Sequence, residues 1–332
     1  MNHGGAASAL PQWLEEHCQR LSSRSLIETN TSPVSAACHS THDHGISRIF
    51  NLNLNLRRLD AFMMQALADA LSQNDEIQII NLTSALVSRN HHHRRPTAGS
   101  SDHHTHSSSS SSDETLIPLA QLLCHHKSLE VIHLSYNRLT DASCLGRALS
   151  TNSSLQELYM DHNQMSGASV VALAGGLARN PDTKLRVLCL NSNRMGDLGG
   201  MALAQLLLTN QSLKRLQLTN NMLGGASVLA LCQALEQRNV TLIELGLEET
   251  TEPSAQSMGA ASQQLCRIQQ LLQANRSGRY LLQQEPPPPM GLWPLVLEGL
   301  PIDPQYYFLQ QLPGLVMMTP ENLTTSKSEY TY

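Results

Sequence analysis

No stripe of lysine or arginine runs through this sequence, and charged side chains of both signs make up only 15% of it. With a formal net charge of −5, the chain lacks the basic footprint that nucleic acid demands. That charge is compatible with a basic partner and does not demand one. Long apolar runs are missing as well. Nothing approaches the roughly 18 residues of a membrane-spanning helix, and the opening "MNHGGAASALPQWLEEHCQRL" has no apolar stretch of the secretory kind. A cytoplasmic chain, neither secreted nor membrane-bound, is expected. The seven cysteines form an odd set without paired spacing, so reduced thiols are the economical reading. No Gly-rich phosphate loop, serine nucleophile motif or zinc-binding helix occurs. A classical enzyme is therefore not expected, and no cofactor is implied.

What the sequence does have is repetition. "LEVIHLSYNRL" begins at Leu129, "LQELYMDHNQM" at Leu155, "LRVLCLNSNRM" at Leu185 and "LKRLQLTNNML" at Leu213. All fit L-x-x-L-x-L-x-x-N-x-L with Met accepted for Leu, and their starts lie 26, 30 and 28 residues apart. Looser copies start at Ile49, Ile77 and Leu242, with Arg57, Ala85 and Thr250 in place of the asparagine, and terminal repeats are commonly atypical. Between Ile77 and Leu129 the interval is 52, one repeat plus about 24 inserted residues.

Each copy reads as a short strand, a turn and a helix. Ile132 and Leu134 alternate with Val131, His133 and Ser135, as a pleated strand requires. Stretches such as "GASVVALAGGLARN" carry apolar residues at helical spacing among Ala and Gly, whose small size suits close helix packing. Where the chain leaves each strand, an asparagine amide can both donate to and accept from backbone groups that no strand neighbour serves. Asn137, Asn163, Asn193 and Asn221 are accordingly read as a structural ladder. Cys144, Cys189 and Cys232 fall inside repeats, where a thiol acts as a small hydrophobe. Sequons at Asn152, Asn210 and Asn239 coincide with the helix-end asparagine of the repeat and carry little weight.

These motifs, the repeat length near 28 and the Gly/Ala-rich helix ending in Asn resemble the leucine-rich repeats of the ribonuclease-inhibitor subtype. The resemblance implies an α/β fold, a right-handed solenoid with a concave parallel sheet and convex helices. It does not fix a function, because such folds serve inhibitors, immune sensors, cytoskeletal proteins and a Ran GTPase-activating protein. The sequence divides into an N-terminal helix and linker over 1–45 and a solenoid over 46–285 with a disordered His/Ser-rich insertion at about 88–114. A Pro-rich spacer with an aromatic cap over 286–318 and a polar tail over 319–332 follow.

On the strands, the third, fifth, seventh and eighth residues of each repeat are expected to face the concave side. The first repeats offer neutral amides such as Asn51, Asn53 and Asn81. The middle offers Val131, His133, Ser135 and Tyr136, then Glu157, Tyr159, Asp161 and His162. Val187, Cys189, Asn191 and Ser192 come next, and the end offers Arg215, then Glu244, Glu248 and Glu249. The candidate partner-binding set is His133, Tyr136, Tyr159, Asp161, His162, Arg215, Glu244, Glu248 and Glu249, since tyrosine is a favoured interface anchor. A non-enzymatic scaffold that captures a protein on this face, acting as a monomer, is the expected function. The alternative is a regulator resembling the Ran GTPase-activating protein, which would present polar residues to complete a nucleotide site.

Histidines crowd into "CHSTHDHG" and "RNHHHRRPTAGSSDHHTHSSSSSSDE", yet a serine run supplies neither fixed geometry nor a second set of partners for a metal, and no metal site is expected. The ending, with "NRSGR" at 275–279 and "LWPLVL" at 292–297, is similar to that of algal leucine-rich repeat proteins. Trp293, Tyr306, Tyr307 and Phe308 gather there although the chain has only 3 Phe, 2 Trp and 7 Tyr. They are expected to cover the last leucine layer, which a parallel solenoid cannot leave facing water.

Overall fold

The computed structural model describes residues 10–22, 50–86, 111–247, 255–284, 292–298, 300 and 302–312. Seven short parallel strands form one sheet in strict chain order. They are β1 (Phe50–Asn53), β2 (Ile77–Asn81), β3 (Val131–His133), β4 (Glu157–Tyr159), β5 (Val187–Cys189), β6 (Arg215–Gln217) and β7 (Glu244–Gly246). Helices alternate with them: α1 (Gln12–Ser22) before β1, then α2 (Ala61–Ser72), α3 (Ser111–Leu123), α4 (Ser143–Leu149), α5 (Gly167–Ala178), α6 (Gly196–Leu207), α7 (Gly225–Gln237) and α8 (Ala255–Arg276). Consecutive helices pack side by side from α1 to α8. Strands neighbour each other at about 4.8 Å and helices at about 8–10 Å. One repeat must satisfy both spacings, so the sheet takes the inner, concave side.

The core between the two layers is made of the leucines of the repeat frame. Leu129, Ile132, Leu134 and Leu139 are fully buried, and so are Leu155, Leu158, Met160 and Met165 in the next repeat. Methionine thus takes the leucine position without loss of burial. Small residues set the distance between helices: a Cβ on Gly176 would collide with the Gly146 carbonyl, and one on Gly146 with the carbonyl of Ala172.

The buried amides are fully employed through most of the stack. Asn163 donates to the carbonyls of Leu134 and Met160 at 3.0 and 2.9 Å, while its Oδ1 accepts from the amides of Asn137 and Leu139 at 2.9 and 3.1 Å. Asn137 and Asn193 repeat the pattern, each Oδ1 taking one amide from the preceding repeat, Leu86 and Met165. Asn221 donates to Leu190 and Leu218, but its buried Oδ1 has no partner.

A second ladder runs along the helix C-termini. Asn152, Asn180, Asn239 and Asn275 each donate to carbonyls of the preceding repeat, for example Asn180 to Leu149 and Asn152, both at 2.7 Å. His126 stands in this column where the others have asparagine. The sequence reading passed over it.

The ends differ from the expected boundaries in one respect. α3 starts at Ser111, inside the expected 88–114 insertion, because buried Asp113 accepts from the Thr140 amide at 2.9 Å and from the Thr140 hydroxyl at 2.5 Å. The rest of that insertion, the 23–49 linker, the tetraproline and the tail beyond 312 lie outside the described residues. After α8 come a short 3-10 turn (Arg279–Gln283), α9 (Trp293–Glu298) and α10 (Ile302–Gln311), with α10 packed on α8. Trp293 and Phe308 are buried in the common core, their rings 5.6 Å apart.

The "NRSGR" stretch has a role at every position but Ser277. Asn275 continues the helix-end ladder, Arg276 donates to the Ile243 carbonyl, and Gly278 turns at φ 93°. Arg279 is buried and donates to the Leu235 and Glu236 carbonyls at 2.6 and 2.7 Å, capping α7 with a cation where the helix dipole favours one. Its guanidinium lies 5.5 Å from the centre of the Tyr307 ring.

Candidate functional site on the concave sheet

Parallel pairing sets equivalent residues of successive repeats in columns across the sheet. Val131, Glu157, Val187, Arg215 and Glu244 share one column, and His133, Tyr159, Cys189, Gln217 and Gly246 another. Beyond the strands, Leu56, Ser84, Tyr136, His162, Ser192 and Asn220 form a further column, all left-handed with φ between 52° and 61°. The turn keeps their amides bonding across the stack: Tyr136 donates to Asp161, His162 to Asn191 and Ser192 to Thr219, at 2.8–3.0 Å. Side chains in this column are thus held on a stiff backbone.

Two columns carry rings in the middle of the sheet, and they carry them in opposite order. His133 of the third repeat stacks on Tyr159 of the fourth, ring centres 4.5 Å apart and planes 8° from parallel. Three residues on, Tyr136 stacks on His162 at 4.3 Å and 11°. Aligning "HLSY" with "YMDH" shows the exchange in the sequence, and that alignment was the overlooked signal for pairing. Tyr136 is 54% exposed, while Tyr159 is half-buried and donates its hydroxyl to Glu157 at 2.6 Å. Glu157 therefore belongs with the candidate residues, an addition to the expected set.

Burial shapes the titration of this patch. It holds the His133 imidazole below its usual range, outweighing nearby Glu157. It pushes the Asp161 carboxyl up, against the opposing effect of the Asn191 amide, which donates to Asp161 at 2.8 Å. Asn191 in turn accepts from the amide and hydroxyl of Thr219 at 2.9 and 2.6 Å.

The expected carboxylate end of the face is not a free acidic surface among the described residues. Glu244 forms an ion pair with Arg215 at 2.7 Å and accepts from Gln217 at 2.6 Å, so the two expected binding residues Arg215 and Glu244 engage each other. Glu248 and Glu249 lie outside the described residues. Val187 and Cys189 also depart from expectation: they lie on the concave columns yet are buried. Cys189 is flanked in register by the larger Tyr159 and Gln217. His133, Tyr136, Tyr159, Asp161 and His162 do come together, on and just after β3 and β4. Among the described residues no cluster of His, Cys, Asp and Glu is arranged to hold a metal ion, and no helix is long and apolar enough to cross a membrane. Burial pushes the Cys144 thiol up to about 11 and those of Cys18 and Cys232 upward.

A right-ordered parallel sheet, one helix per strand and an asparagine ladder define a leucine-rich repeat solenoid. Its repeats are of the ribonuclease-inhibitor type. The family described as "Leucine Rich repeat" matches residues 151–174, 182–204 and 209–232. Ribonuclease inhibitor from Sus scrofa is 36% identical over 138 residues, covering 40% of this chain and 30% of that protein. The NACHT, LRR and PYD domains-containing protein 3 of Macaca mulatta is 37% identical over 124 residues, covering 37% of this chain and 12% of the relative. The protein phosphatase 1 regulatory subunit 37 homolog of Caenorhabditis elegans is 34% identical over 118 residues, covering 34% and 12%. The matches span less than a third of these relatives' lengths.

Proposed function

We propose that this chain is a non-enzymatic scaffold that binds a protein partner on its concave sheet, centred on β3 and β4. The observation that carries the reading is the pair of crossed His/Tyr stacks. Four rings are fixed by each other and by the sheet, so an incoming surface meets aromatic area that has already lost its conformational freedom. Tyr136 supplies exposed apolar area with a polar tip, the character of an interface anchor. Two of the relatives, by their names, inhibit a ribonuclease and regulate a phosphatase, and a protein-binding role for the same repeats is consistent with both.

The test is capture from the native cell with wild type beside Tyr136→Ala/Tyr159→Ala, with Val171→Ala on exposed α5 as control. The reading expects a partner that the double variant loses and the control retains. A partner retained by the double variant, with its fold intact by thermal melt, would overturn it.

A further inference from the structure

The sheet centre holds two carboxylates that no lysine or arginine among the described residues pairs with. Glu157 and Asp161 bracket Tyr159 on the same stretch of chain, both half-buried. In register, Glu157 lies between Val131 and Val187, which offer no charge. Asp161 faces the Asn191 amide on one side, and on the other its carbonyl accepts from Tyr136. Among the described residues the salt bridges of this face join Arg215 to Glu244, and no lysine or arginine reaches Glu157 or Asp161. The contrast with Glu244 is instructive: the same column carries one acid with its arginine supplied and one without.

Beside these carboxylates stand the two ring stacks. The Tyr159 and Tyr136 rings lie in stacks on either side of Asp161, and a phenol ring attracts a cation through its quadrupole. An imidazole completes each stack, and burial holds that of His133 below its usual range. Half-buried acids between aromatic rings favour a weakly hydrated, planar cation over a compact one.

We propose that the β3–β4 patch receives an arginine side chain of the protein partner, its guanidinium paired with Glu157 and Asp161 and seated against Tyr136 and Tyr159. This rests on the concave-face reading and names the chemistry of the partner that fits it.

The experiment uses a fluorescent, amidated hexapeptide alternating arginine and glycine as probe, with lysine/glycine and glutamate/glycine peptides beside it. Fluorescence anisotropy is read against wild type, against Glu157→Gln/Asp161→Asn, and against Glu76→Gln/Asp182→Asn, which removes two exposed acids in the helix-to-strand loops. The amide variants keep acceptor oxygens for the Tyr159 hydroxyl and the Asn191 amide, and a thermal melt verifies the fold. The expected result is saturable binding of the arginine peptide, weaker binding of the lysine peptide and none of the glutamate peptide. Affinity should fall about ten-fold or more in Glu157→Gln/Asp161→Asn and hold in the loop control. Equal loss in both acid variants, or none in Glu157→Gln/Asp161→Asn, would overturn the proposal. A captured partner lost from Tyr136→Ala/Tyr159→Ala yet retained by Glu157→Gln/Asp161→Asn would leave the concave-face reading standing and sink only the arginine. Retention by both would sink the two together.

Discussion

His126 does for the third repeat what Asn152 does for the fourth. The Oδ1 of Asn152 accepts from the Leu155 amide three residues on at 2.9 Å, and its Nδ2 donates back to Leu123. The imidazole Nδ1 of His126 accepts from the Leu129 amide at 3.2 Å, also three residues on, and Nε2 lies 2.9 Å from the Asn74 carbonyl. These partners require the neutral ring with its proton on Nε2.

Acid should therefore act at this joint. Burial is the main reason the His126 pKa lies below the usual 6.5, so the unfolded chain binds the proton more readily than the folded one. The contribution is fully present above about pH 6.5 and is lost as pH falls through the lowered folded value. Asparagine has the same donor and acceptor and does not titrate. His126→Asn is expected to keep its melting temperature at pH 7.5 and to flatten the decline below pH 6.5 relative to wild type. Parallel pH profiles for the two proteins would show that His126 is not the titrating joint.

Two rungs of the asparagine ladder, one interior and one terminal, should not cost the same. Removing the Asn163 amide strands the backbone amides of Asn137 and Leu139, at about 1–3 kcal/mol for each group left without a partner, while the Leu134 and Met160 carbonyls keep donors from Asn137 and Asn193. Asn221 serves carbonyls only, and its own buried oxygen is already unsatisfied. Urea denaturation is expected to rank Asn163→Ala as the more destabilising of the two. The reverse order would mean that the bonds to the preceding repeat contribute little.

At the other end of the molecule, the aromatic segment and Arg279 should behave as parts of one cap. Trp293→Ala removes a fully buried ring and should destabilise by about 3–5 kcal/mol. Arg279→Met removes the cation from the α7 terminus, leaving the Leu235 and Glu236 carbonyls without it. Because solenoid stability is built from nearest-neighbour terms, both variants should raise hydrogen exchange first across residues 213–284 and spare the third and fourth repeats. Unchanged protection there would assign Trp293 to partner docking instead of capping.

The repeat frame was legible because its physics is local: leucine spacing, strand alternation and an amide at the strand exit each leave a mark within eleven residues. The seven strand positions and the burial of Leu134, Met160 and Asn163 follow from that frame. The His133–Tyr159 and Tyr136–His162 pairs were less accessible, since each depends on register between residues 26 apart. His126 escaped because the column is recognised by asparagine, while an imidazole offers the same donor and acceptor in a different shape. The Arg215–Glu244 pair likewise needs the neighbouring strand to be seen.

The central claim is that a partner meets the crossed rings, and contact is best read directly. A photoreactive benzoylphenylalanine is placed at Tyr136, or at Val171 on the convex helices, where a side chain is 41% exposed. Each protein is irradiated in native extract and its covalent adducts are compared. The account predicts a specific adduct from position 136 that the arginine peptide competes away, with the same protein absent from position 171. Its reversal, an adduct at 171 and none at 136, would place the interface on the helices and contradict the account.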